Sequence, residues 1–169
     1  MTPEFSRLVD RRQIDAQPLA IEANAAERAA LATRFALVKI DQLAARLRLA
    51  CEGDVVSVQG RLTARIVQSC AISGEDLPAS IDEPLAFRFV PDQAIEEEEI
   101  ELDEGELDEI PYAGHSFDVG EAVAQSLALA IDPYACGPDA ERVRREAGLG
   151  EPSASGPFAA LAALKRDPG

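Results

Sequence analysis

Apolar residues in the first half of the chain change from a helical spacing to an alternating one. Asn24 and Glu27 stand three residues apart, as a reciprocal helix cap requires, and Ala-rich sequence follows them. Over residues 38–49 apolar side chains then alternate with polar ones, with a bulge expected near Gln42. The pattern predicts a helix that packs on a sheet, followed by a long strand.

A second alternating segment, residues 55–66, follows a turn and predicts an antiparallel hairpin with the first strand. Gly60 inside this segment indicates a bend or the close approach of another backbone. A third strand is predicted over residues 81–90, and a second helix begins at Asp118. These elements predict an α+β fold, in which two helices pack on a twisted antiparallel sheet and partial closure of the sheet into a barrel is left open.

Charge is unevenly distributed along the chain. The formal net charge is −15, and residues 92–118 hold twelve Asp or Glu and no Lys or Arg. Because buried carboxylates are costly, we expect an acidic, mobile loop over about residues 92–116. The stretch of about residues 137–169 is rich in Gly, Pro and Ser and is expected to be loosely ordered. Both belong to a single predicted domain, residues 1–169.

Two parts of these stretches are candidates for binding a partner protein. The acidic stretch contains four consecutive carboxylates, and the tail contains apolar residues at helical spacing. The candidate residues are Glu96, Glu97, Glu98 and Glu99 in the first, and Phe158, Leu161 and Leu164 in the second.

The compartment is predicted from the first residues and from the cysteines. The segment MTPEFSRLVDRRQ carries charges where a secretory signal needs an apolar run, and no later window is apolar enough to cross a membrane. Cys51, Cys70 and Cys136 are odd in number and widely spaced, which does not suit a disulfide framework. We expect a cytoplasmic protein with three thiols.

Four arginines are the main candidates for contact with RNA. If the hairpin pairs as predicted, Arg46, Arg48, Arg61 and Arg65 occupy outward positions of neighbouring strands and form a basic patch. The patch has no interleaved aromatic residues of the kind on which single-stranded RNA stacks. The alternative is that these arginines are ordinary surface residues balanced by the acidic loop.

The sequence carries no pattern typical of an enzyme. His115 stands in a polar loop without a second imidazole or a nucleophile nearby in sequence, and the acidic stretch lacks the spacing of a calcium loop. We therefore expect no catalytic residue, no metal and no cofactor.

The chain contains, in this order, the segments QSCAISGEDLP, HSFDVGEAVAQSLALAIDPYAC and PFAALAALKR. Together they resemble the YceD family of bacterial large-ribosomal-RNA-subunit accumulation proteins, and the resemblance extends from about Val55 to the end of the chain. Many members carry Cys-x-x-Cys at the first segment, a spacing that suits zinc. Here Ser73 takes the second position, and a hydroxyl is a poor zinc ligand.

The resemblance implies an accessory role in ribosome biogenesis, in the synthesis, processing or stability of large-subunit (23S) ribosomal RNA. The expected partner is ribosomal RNA or a pre-ribosomal particle, which the protein binds without catalysis. The alternative is an acidic adaptor that engages a basic ribosomal protein or processing factor and does not touch RNA.

Overall fold

The computed structural model describes residues 2–92 and 108–148. These residues group into two compact units, one formed by residues 2–68, 78–92 and 108–132 and the other by residues 69–77 and 133–148. The strands are β1 (Leu8–Asp10), β2 (Leu19–Glu22), β3 (Lys39–Glu52), β4 (Val55–Ser69), β5 (Asp76–Pro91), β6 (Asp108–Tyr112) and β7 (Ser116–Asp118). The helices are α1 (Ala25–Arg34), α2 (Val119–Ala130) and α3 (Ala140–Glu146), with a 3-10 turn at Arg11–Gln13.

Side chains before each of the two longer helices cap them, as the sequence predicts. At α1 the Glu27 backbone N–H donates to the Asn24 side chain at 2.9 Å, and the Asn24 N–H donates to the Glu27 carboxylate at 2.8 Å. At α2 Asp118 accepts the Glu121 N–H at 3.1 Å and also accepts the Arg7 N–H at 2.8 Å. The Asp118 carboxylate therefore fixes both the start of the helix and the neighbouring N-terminal segment.

The strands of the first unit form an open sheet with the order β2-β3-β4-β5-β6, and β1 pairs separately with β7. The predicted hairpin is confirmed, since β3 and β4 pair antiparallel from Lys39 opposite Val67 to Glu52 opposite Val55. The predicted bulge is confirmed as well, because the register shifts between Ile40 and Gln42. The fold is α+β and the sheet is not closed.

One face of the sheet and the two longer helices enclose the core of this unit. Alternate residues of β3 and β4 are buried completely or almost so, as the alternating sequence pattern predicts. The fully buried large side chains are Phe5, Phe89, Leu31, Leu43, Leu47, Leu62, Ile66, Leu127, Val56, Val58, Val119 and Val123.

The structure corrects the expected loop over residues 92–116 in its last part. Strand β6 pairs parallel with β5, and β7 begins within the same stretch. Two buried aromatic side chains explain why this part of the stretch forms strands. Tyr112 and Phe117 are 7% and 3% exposed, and the Phe117 ring stacks on Phe89 with ring centroids 4.4 Å apart. Acidic composition therefore does not prevent pairing where apolar side chains reach the core.

The structure also corrects the expectation for the first part of the tail. Helix α3 lies in the stretch predicted to be loosely ordered, and its Ala140 is buried. Arg142 forms ion pairs with Asp139 and Glu146, at helical spacings that support a short helix.

Gly60 of strand β4 lies against the backbone of strand β3. A Cβ atom at Gly60 would stand 2.0 Å from the Arg46 carbonyl oxygen, whereas at Gly53, in the hairpin turn, it would meet nothing within 4 Å. The close approach that the sequence indicates is therefore present, and the strand β3 backbone leaves no room for a side chain.

We predict that Gly60→Ala lowers the free energy of unfolding by about 3 kcal/mol, because a strand backbone must shift. Gly53→Ala is the matched control. Its φ of +63° makes alanine unfavourable, but open space limits the loss to about 1–2 kcal/mol. Urea denaturation of both variants measures the difference in free energy of unfolding. If Gly60→Ala lowers this free energy no more than Gly53→Ala does, the close approach of the β3 backbone to Gly60 is contradicted.

Candidate nucleic-acid interface

The four predicted arginines lie together on the solvent side of the sheet. Arg46 and Arg48 project from β3, Arg61 and Arg65 project from β4, and all four are exposed. Their neighbours in sequence point into the core, since Leu47 and Leu62 are fully buried. We call the surface formed by these four residues the arginine face.

Two of these arginines stand directly opposite each other. The β3–β4 register places Arg46 across from Arg61, where side chains come within about 5 Å at Cβ and like charges repel. Arg61 forms an ion pair with Asp82 of strand β5. Within residues 2–92 and 108–148, the side chains of Arg46, Arg48 and Arg65 have no hydrogen-bond or ion-pair partner. Among these residues, nothing competes with an anion for their guanidinium groups.

A shallow depression lies on the arginine face beside this pair. It encloses about 480 Å³, and Arg46 and Arg61 border it. Ala20 and Ala44 line it with small side chains, which leaves the guanidinium groups accessible from above. Glu22 also borders the depression and Asp82 pairs with Arg61, so the local charge is mixed.

Sequence reasoning missed several residues of this surface. Strand β2, which brings Ala20 and Glu22 beside Arg46, was not predicted, although the alternation of Leu19, Ala20, Ile21 and Glu22 is a usable signal. The partner of Arg61, Asp82, depends on how β5 aligns with β4, and an isolated sequence does not give that alignment.

The other candidate binding residues lie outside the described residues. They are Glu96, Glu97, Glu98, Glu99, Phe158, Leu161 and Leu164. His115 is exposed and, with Arg11 and Tyr112, lines a separate depression of about 400 Å³. Within the described ranges, no group of three or more His, Cys, Asp or Glu side chains is placed to hold a metal ion.

The cysteines are free, and one of them has an unusual environment in the second unit. Cys51 and Cys136 are exposed, whereas Cys70 is buried. The Cys70 sulfur accepts backbone N–H groups from Ser73 at 3.3 Å and from Gly137 at 3.4 Å. Hydrogen bonding by the Ser73 side chain, reinforced by these N–H groups, lowers the pKa of the Cys70 thiol from 9.0 to about 6. From the sequence we expect only a free thiol at Cys70, and this effect was missed.

The fold and the site together define a class: an α+β protein whose open sheet turns a cluster of arginines to solvent. Residues 58–165 match the family of the large ribosomal RNA subunit accumulation protein YceD. The chain belongs to the YceD family, which confirms the resemblance and links it to ribosome biogenesis. No curated protein and no solved structure matches the chain. No helix in the described part of the chain is long and apolar enough to cross a membrane.

We predict that Arg46→Gln raises the free energy of unfolding by about 0.5 kcal/mol at low salt, because it relieves repulsion with Arg61. The gain should shrink at high salt, where exposed charges are screened. Arg48→Gln is the matched control, since Arg48 faces the neutral Gln59 and should change stability little. Urea denaturation at two salt concentrations gives both values, and equal effects of the two substitutions would contradict the repulsion.

We predict that Cys70 titrates near pH 6 in the folded protein and near pH 9 when unfolded. Because folding lowers this pKa, the thiolate adds stability that is complete above about pH 9 and is lost as the pH falls through about 6. The ultraviolet absorbance of the thiolate measures both values in a variant with Cys51→Ala and Cys136→Ala.

A further Cys70→Ala substitution in that variant supplies the baseline for this titration. A single midpoint shared by the folded and the urea-unfolded protein would show that neither the Ser73 side chain nor the backbone N–H groups stabilise the thiolate.

Proposed function

We propose that this protein supports accumulation of large-subunit ribosomal RNA by binding that RNA directly through the arginine face, as a cytoplasmic accessory without catalysis. The observation that carries the proposal is the pair Arg46 and Arg61, two like charges held directly opposite each other on an exposed surface. Asp82 pairs with Arg61 and reduces this repulsion, but Arg46 has no such partner among the described residues. A phosphate placed between the two guanidinium groups would bind both.

Arginine chemistry supports this choice of ligand. The planar guanidinium group donates two parallel hydrogen bonds to a phosphate, and these are stronger than hydrogen bonds between neutral groups. Arg46, Arg48 and Arg65 have no partner among the described residues that would compete for those donors. Asp82 competes only for Arg61, at a surface where an exposed ion pair is worth about 1 kcal/mol or less.

The net charge of −15 opposes approach to RNA but does not prevent contact at this face. At physiological ionic strength the screening length is about 8 Å, so carboxylates farther away than this act only weakly on a phosphate at the surface. The nearest charges then decide the local interaction. The negative charge of the acidic stretch slows the association of RNA with the protein. Binding therefore requires several arginines that contact phosphates together.

We predict that replacing Arg46, Arg48, Arg61 and Arg65 together by Gln leaves the protein folded and weakens its binding to large-subunit ribosomal RNA. Each lost phosphate contact should reduce the slope of log K against log salt by about 0.7–0.9. Fluorescence anisotropy with labelled RNA over a range of salt concentrations measures both the affinity and the slope.

The matched control changes four other exposed arginines to Gln and produces the same net charge, at Arg12, Arg142, Arg144 and Arg145. It should bind RNA as the parent does. Equal losses in both variants would mean that overall charge, and not the arginine face, governs binding.

The adaptor alternative gives the opposite result in this experiment. An unchanged affinity of the arginine-face variant would overturn direct RNA contact at this surface. Neutralising Glu96 to Glu99 by Gln would then be expected to weaken capture of a basic ribosomal protein, which the direct-contact proposal does not require.

A further inference from the structure

The arginine face differs from the usual surface for single-stranded RNA in one respect: within the described residues it presents no aromatic ring. The aromatic side chains of strands β5 and β6 point to the opposite, buried side of the sheet. Phe87, Phe89 and Tyr112 are 4%, 1% and 7% exposed. Proteins that bind single strands without sequence preference stack bases on exposed aromatic rings, and this stacking contributes to affinity at each base.

Hydrogen-bonding side chains take the positions where such rings would stand. In the β3–β4 register Gln59 faces Arg48, next to the Arg46–Arg61 pair on the outer face. On the other side of that pair Ala44 faces Thr63, and Gln42 then faces Arg65. A guanidinium group and an amide bind phosphates and hydroxyls, and neither needs an unpaired base. The arrangement suits the backbone of a nucleic acid.

The dimensions of the surface favour a ligand with dense phosphates. From Gln59 to Arg65 strand β4 advances about 20 Å at the usual rise per residue. A duplex carries twice as many phosphates per unit length as one of its strands, so more of them come within reach of this short surface. The minor groove of a base-paired RNA is wide and shallow, and proteins bind it through phosphates and 2′-hydroxyls, without access to unpaired bases.

We infer that the arginine face binds base-paired segments of ribosomal RNA, through their phosphates and 2′-hydroxyls, in preference to unpaired strands. The inference rests on the proposed function and specifies the form of RNA that the surface takes. Arg46, Arg48, Arg61 and Arg65 contact phosphates, and Gln42 and Gln59 donate to hydroxyls between them.

Competition among three labelled probes tests this inference with the full chain. The probes are a hairpin with a stem of about 16 base pairs, an unstructured RNA strand with the same number of phosphates, and a DNA hairpin of matching sequence. We expect the RNA hairpin to bind about tenfold more tightly than the single strand, which lacks a stacking platform here. The RNA hairpin should also bind more tightly than the DNA hairpin.

Variants separate the two kinds of contact. Changing the four arginines to Gln should weaken binding of every probe, whereas changing Gln42 and Gln59 to Ala should reduce only the preference for RNA over DNA. Loss of that preference in the glutamine variant supports the hydroxyl contacts, and an unchanged preference overturns them.

The outcomes distinguish this inference from the proposed function. Binding of the single strand as tightly as the hairpin, with loss in the four-arginine variant, would overturn the preference for base-paired RNA and leave the proposed function standing. Absence of binding to both RNA probes would overturn both.

Discussion

The bulge at Asp41 determines which side chains of strand β3 face water. Before it Ile40 is buried, and after it Leu43 is buried, so one extra residue exchanges the inward and outward positions along the rest of the strand. Without the bulge, Arg46 and Arg48 would point into the core, where an unpaired charge costs several kcal/mol. The paired strand β4 keeps Arg61 on the same outer side. The arginine face is therefore a consequence of register.

The parts of this fold that sequence predicts are those set by local chemistry. The cap at Asn24, the hairpin and the bulge each leave a pattern within a few neighbouring residues, and each is present. The pairing of Asp82 with Arg61 depends on the alignment of separate strands, which local patterns do not contain. The parallel pairing of β6 with β5 likewise joins segments separated by the acidic stretch, and charge alone favoured a loop there.

The net charge of the protein and the local charge of the arginine face lead to different conclusions about RNA binding. A net charge of −15 argues against RNA binding for a protein whose charge is spread evenly. Here twelve of the carboxylates lie within residues 92–118, while β3 and β4 bring four arginines to one surface. The proposed phosphate contacts would act against repulsion by the net charge, and binding of this kind is sensitive to salt.

Photo-crosslinking tests the central claim, direct contact between the arginine face and ribosomal RNA, without altering the protein. Large-subunit RNA transcribed with a photoreactive uridine would be irradiated with the full chain, and the crosslinked peptides identified by mass spectrometry. We expect crosslinks concentrated in residues 39–69, which form strands β3 and β4. Crosslinks confined to other parts of the chain, with none in these strands, would contradict it.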